Sequence, residues 1–130
     1  MERLSERLAE AEIALASLDE LVRRASRSVV ERDAAIMRFT YTFEAVWKTA
    51  QRYLYEHEGI DIGSPKQAIR ASRRIGLVTD EQAEAALRMA DDRNLVVHVY
   101  REAVARDLDS RLHAHATTLA AWLAAMKTSG

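Results

Sequence analysis

The sequence predicts an all-α fold, an antiparallel up-and-down bundle of about five helices forming a single domain over residues 1–130. Three observations predict it. One proline and four glycines in the whole chain, beside abundant Ala, Leu, Glu and Arg, leave few places where a helix must stop. Apolar residues recur three and four apart, the period that lines one face of a helix. Ser28, Ser64 and Thr79 each stand three residues before a Glu or Gln, the spacing at which a hydroxyl caps a helix N-terminus.

In the first helix Leu4, Leu8, Ala11, Leu15, Leu18 and Val22 form the seam of a helix lying along another helix, and the helix is expected to run to about Ala25. The second starts at the Ser28–Glu31 capping box and continues to about His57, where Gly59 can take the left-handed position after the last turn. It carries two stripes. Ile36, Phe39, Phe43, Trp47, Ala50 and Leu54 are apolar, while Met37, Tyr41, Glu44 and Lys48 mix a phenol, a carboxylate and an ammonium. The plain account of the second stripe is a Glu44–Lys48 surface pair worth about 0.3 kcal/mol.

The third helix opens with Ser64 as cap and Pro65 in the first helical position, and Gly76 closes it. Lys66, Arg70, Arg73 and Arg74 then share one basic stripe, able to meet RNA phosphates, although a solvated face is the commoner explanation. The fourth helix begins near Asp80. With no Gly or Pro between Gly76 and Gly130, an unbroken helix would reach roughly 70 Å, so a kink or turn is expected between Asn94 and Tyr100. There the β-branched Val96, Val97 and Val99 fill a helix poorly, and Asn94 tolerates leaving helical geometry. The fifth helix carries Leu108, Leu112, His115, Leu119, Trp122 and Met126 and should pack on the first two. His115 on that stripe reads as a core or boundary histidine. His113 and His115 point apart, so no metal site is expected, and His57 is explained by its place at a helix C-terminus.

Composition narrows the function. The chain is long enough for one core, 48% hydrophobic and 30% charged, with no apolar run near the roughly 18 residues a membrane span needs. The segment from Met1 to Glu6 lacks a signal-peptide core, and there is no cysteine, so a cytoplasmic, membrane-free protein is expected. A net charge of −1 and a pI near 6.4 argue against general nucleic-acid affinity, so any RNA contact must come from a local patch.

Reactive groups concentrate in Arg93-Asn94-Leu95-Val96-Val97-His98-Val99-Tyr100. On a continuous helix Arg93 and His98 would lie roughly 140° apart, whereas Arg93 and Tyr100 would nearly eclipse. Either the helix breaks, or a second copy of the chain brings the groups together across a symmetric interface. The residues alone also allow a plain helix-end cluster, with Arg93 paired to Asp91 or Asp92, His98 at a boundary, and the Tyr100 ring under the Arg93 guanidinium.

Arg93 and Asn94, three residues, His98, one residue and Tyr100 together resemble the signature of the HEPN toxins of HEPN/MNT toxin–antitoxin pairs, also known as nucleotidyltransferase substrate-binding proteins. The likeness extends to Arg38-Phe39-Thr40-Tyr41-Thr42-Phe43-Glu44 with Trp47-Lys48, to Ser64-Pro65-Lys66 with Ile69-Arg70, to Gly76-Leu77, and to Met89 before Asp92. It departs at Ala85-Ala86, where relatives often carry Trp, a packing difference that touches no site residue. The resemblance implies a homodimeric, metal-independent endoribonuclease without a cofactor, encoded beside a nucleotidyltransferase antitoxin that silences it by adenylylation. It also implies that Tyr41, Glu44 or Lys48 lines or braces the cleft.

Metal-free RNA cleavage must take a proton from a ribose 2′-OH, steady the phosphate charge and protonate the leaving 5′ oxygen. Histidine suits the proton transfers and arginine the phosphate. His98 and Arg93 would fill these roles, with Asn94 orienting phosphate or imidazole, and a symmetric dimer would supply the second histidine. Tyr100, two residues beyond His98, would be the adenylylated residue, since a phosphate there repels RNA phosphate and competes for Arg93. The alternative, from another class, is a non-catalytic subunit presenting a substrate to a separate nucleotidyltransferase. The chain is not itself the transferase, because Gly63-Ser64 leads into Pro65 and the nearest Asp-x-Asp pair, Asp107 and Asp109, lies on a distant predicted helix.

Overall fold

The computed structural model describes residues 3–129; Met1, Glu2 and Gly130, and with them the start of the segment read above for a signal peptide, lie outside the described residues. The fold is all-α: α1 Leu4–Val22, α2 Val29–Glu58, α3 Pro65–Arg74, α4 Asp80–Leu95, a 3₁₀ turn Val96–His98, and α5 Glu102–Ser129.

Capping fixes the boundaries. The Ser28 hydroxyl accepts from the Glu31 amide while the Glu31 carboxylate accepts from the Ser28 amide at 2.8 Å, and Thr79 with Gln82 repeats the exchange. Ser64 accepts from the Gln67 amide ahead of Pro65. Gly59 at φ 66° and Gly76 at φ 82° end α2 and the turn after α3, in a conformation that strains any side chain. The first helix stops at Val22 rather than near Ala25. A further turn would need the Leu21 carbonyl for the Ala25 amide, but that oxygen accepts from the Arg24 amide in a tighter turn and from the Arg27 guanidinium, which is itself anchored to Asp109 of α5 at 2.8 Å.

Thr42 of α2 donates to the Ala14 carbonyl of α1, and Thr49 to that of Arg7, so the two helices run antiparallel. Glu12 of α1 meets Lys127 of α5, and Asp109 lies beyond the other end of α1, so α1 is antiparallel to α5 too. Helices α2 and α5 therefore run in the same direction, and α3 and α4 make the return. Between them sits one core in which Phe39, Phe43, Leu54, Leu108, Leu112, Leu119, Trp122 and Met126 are buried. Each large apolar side chain moved out of water stabilises by about 1.5–3 kcal/mol, which makes these stripes the main cohesion of the bundle. Along α1, Leu4, Ala11, Leu18 and Val22 are buried, and Leu8 and Leu15 pack against the core partly covered.

The break in the long C-terminal run falls where expected, but Asn94 does not make it. Asn94 stays inside α4, no described residue other than glycine has positive φ, and the valines form the 3₁₀ turn. Asp92 anchors the joint. Its buried carboxylate accepts from Arg111 Nε at 2.7 Å, Arg111 Nη2 at 2.9 Å and His115 Nε2 at 2.6 Å. The His115 ring stacks on Phe39 with centroids 5.3 Å apart, so this histidine belongs to the core as well as to the joint.

Burial opposes the Asp92 charge, but the bonds from Arg111 and His115 outweigh it and hold the carboxyl below its ordinary value. Burial pushes the His115 imidazole below its ordinary 6.5 against the pull of Asp92, so the ring is neutral at pH 7 and donates its Nε2–H. Below pH 6.5 the unfolded chain takes up a proton at this position that the folded chain refuses, and stability falls with pH; loss at Asp92 follows below 3.8. Thermal melts from pH 8 to pH 5 should show this fall in the wild type and a shallower one in His115→Gln, which keeps an N–H for Asp92 but does not titrate. Equal pH slopes would contradict the assignment.

Candidate functional site

Asp91, Asp92 and Arg93 are consecutive on the last turns of α4, so their side chains leave the helix about 100° apart. Each addresses a different element. Asp91 holds Lys66 of α3 at 2.7 Å, Asp92 enters the joint with α5, and Arg93 Nη2 reaches Glu44 of α2 at 2.8 Å. Arg93 therefore pairs with neither Asp91 nor Asp92, because both acids are turned away and already engaged. Glu44 likewise pairs not with Lys48 but with Arg93, and its other oxygen accepts from Trp47 Nε1 at 3.2 Å. The Arg93 Nε–H is buried without an acceptor.

Of the three residues expected to line or brace the cleft, only Glu44 reaches Arg93. The Tyr41 hydroxyl is bound at 2.9 Å to Ser17 of α1, and Lys48 is exposed. The basic stripe is divided as well. Lys66 turns to Asp91 and Arg73 sits 3.9 Å from Asp80, while Arg70 and Arg74 border a separate depression beside Ile60–Ile62.

Beyond Asn94, which is exposed at the end of α4, the turn carries His98 and Tyr100 into solvent. Their rings meet edge to face with centroids 6.2 Å apart, and Tyr100 is 75% exposed. The guanidinium over the Tyr100 ring is that of Arg101, 5.8 Å from its centre, and not that of Arg93 as eclipse on a continuous helix would give. The 3₁₀ turn changes the rotation per residue and undoes that register. Val97, in the same turn, is 72% exposed.

A cleft of about 470 Å³ opens between α2, the start of α3 and the end of α4, with Glu44, Trp47, Ser64, Lys66, Arg93 and Asn94 around it. Arg93 and Asn94 thus belong both to the cleft and to the base of the turn. The sequence reading missed the Asp92–Arg111–His115 joint and the part played by Trp47. Arg111 and His115 are four apart on α5, a spacing at which two donors can share one acceptor, and that was the available signal.

Residues 6–128 match the family described as nucleotidyltransferase substrate binding protein like. A crystal structure of a protein from Thermus thermophilus is similar in fold and sequence. It is 51% identical, superposes with a TM-score of 0.87, and the match covers 89% of this chain and 98% of that one. No curated protein sequence matches. The match over residues 6–128 places this chain in the nucleotidyltransferase substrate binding protein-like family.

Proposed function

We propose that this chain is the binding partner of a nucleotidyltransferase and that the two meet at the Arg93–Tyr100 turn, where the Tyr100 phenol accepts the nucleotidyl group. The observation that carries this reading is the exposure of Tyr100 on the turn between α4 and α5, beside His98. Membership of the family supports the association with a nucleotidyltransferase. In the transfer the Tyr100 oxygen attacks the α-phosphorus of ATP, a phenol–phosphorus bond forms, pyrophosphate leaves, and the phenol proton passes to a base, for which His98 is the nearest imidazole. Val97 and Tyr100, apolar surfaces on one turn, give a partner something to bury.

Incubating the chain with a nucleotidyltransferase that binds it, ATP and magnesium, and then mapping the product by mass spectrometry, should locate AMP on Tyr100 and none on Tyr100→Phe. Equal modification of Tyr100→Phe, or none of the wild type, contradicts the assignment.

A second reading is favoured by the company Tyr100 keeps. His98 and Arg93, one imidazole and one guanidinium, flank the turn with Asn94, and these groups suffice for metal-free RNA cleavage across a homodimer. His98 would take the 2′-OH proton, the 2′ oxygen would displace the 5′ oxygen at phosphorus, and the matching histidine of a second copy would protonate the leaving group. Arg93 would have to release Glu44; an ion pair this exposed is worth about 1 kcal/mol or less, so a phosphate can displace it. In this reading the chain is a toxin, the nucleotidyltransferase its antitoxin, and AMP on Tyr100 the block. His98→Ala and Arg93→Ala should then each lower RNA cleavage by about 100-fold or more with helicity unchanged by circular dichroism. Undiminished cleavage by a folded His98→Ala variant would remove this reading and leave the partner reading standing.

A further inference from the structure

We infer that the cleft between α2, α3 and α4 is a nucleotide subsite, which seats one base against Trp47 and its phosphate between Lys66 and Arg93. The inference rests on the Arg93–Tyr100 turn being the functional centre, and it adds the chemical class of what lies beside that turn. At about 470 Å³ the cleft falls within the range of about 300–1,000 Å³ common to small-molecule sites.

Its chemistry selects the ligand. Lys66 and Arg93 stand on walls supplied by two different helices, so an anion between them meets two cations. Neither cation is locked. Lys66 shares an exposed pair with Asp91 and Arg93 a half-exposed one with Glu44, and such pairs exchange readily for a phosphate. The Arg93 Nε–H has no acceptor, and a phosphate oxygen would supply one after a small turn of the guanidinium. The Ser64 hydroxyl accepts from the Gln67 amide and keeps its own O–H to donate.

Away from the cations, the edge of Trp47 that stays open, 9% of the residue, borders the cleft and gives a base an aromatic contact, and the Asn94 amide offers both a donor and an acceptor to a base edge. A metal cation is disfavoured, since the only carboxylate on the lining is Glu44, already bound by Arg93 and Trp47. An uncharged ligand would leave two cations unused. Arg93 and Asn94 also form the base of the turn, so a nucleotide seated here lies at the same end of α4 as the segment that carries His98 and Tyr100. That unit can come from an RNA chain or from a free adenine nucleotide.

The two tryptophans make a direct test possible, since Trp47, 9% exposed, borders the cleft, whereas Trp122, 1% exposed, does not. The full chain is titrated with AMP, and separately with an adenylyl-adenosine RNA dinucleotide, while tryptophan emission is followed. At least one ligand should quench saturably. Trp47→Phe should lose the quench, and Lys66→Ala should bind about ten-fold more weakly or worse. Tighter binding of the dinucleotide would identify an RNA chain as the source, and tighter binding of AMP the free nucleotide. No saturable quench by either ligand at millimolar concentration, or equal affinity in a folded Lys66→Ala variant, overturns the subsite. Because His98 and Tyr100 lie outside the cleft, failure of RNA cleavage or AMP transfer with saturable binding intact would strike only the preceding proposals. Transfer to Tyr100 without binding would strike only this one.

Discussion

A carboxylate taken out of water has to be met by donors, and at the end of α4 this requirement sets the geometry of the molecule. Asp92 is met by both nitrogens of the Arg111 fork and by the His115 imidazole, all from α5. Removing any one of these partners leaves part of a buried charge unanswered, at a cost of about 1–3 kcal/mol. The joint therefore fixes how far α4 travels before the chain must turn. His115 ties the same joint into the core through its stack on Phe39, so the position of the turn is referred to the most buried part of α2.

The turn inherits its composition from that constraint. With Asp92 pointed at α5, helical rotation sends Asp91 to α3 and Arg93 to α2, and three consecutive charged residues hold α4 to three neighbours. The outer two contacts are solvent-exposed and exchangeable, whereas the middle one is buried. That contrast separates frame from surface: the buried acid holds the frame, while Arg93 and the Lys66 held by Asp91 sit in exposed, exchangeable pairs. The residues after Leu95, with no comparable anchor of their own, present His98, Val97 and Tyr100 to solvent.

Much of the fold was legible because it depends on local chemistry. Ser28, Ser64 and Thr79 cap where their spacing to Glu31, Gln67 and Gln82 says they should, and the α2 and α5 stripes from Ile36 to Leu54 and from Leu108 to Met126 are the core. What escaped depends on contacts between elements. No local rule reveals that Arg27, tied to Asp109, joins the Arg24 amide on the Leu21 carbonyl at the end of α1, or that Glu44 turns to Arg93 rather than to Lys48 one turn along its own helix. The break after Leu95 was legible from the valines, but its 3₁₀ geometry, which moves Tyr100 from Arg93 to Arg101, was not. Spacing puts Lys66, Arg70, Arg73 and Arg74 on one face of α3, and only the packing of α4 reveals that Lys66 meets Asp91.

The central claim is that the Arg93–Tyr100 turn, held out by the Asp92 joint, is the surface at which a nucleotidyltransferase docks. Amide hydrogen exchange of the chain, alone and mixed with a nucleotidyltransferase shown to bind it, tests this directly. Slowed exchange concentrated in residues 93–101, with the middle of α1 unchanged, is the predicted result. Protection elsewhere with that turn unaffected, or no protection in a mixture shown to form a complex, would contradict it.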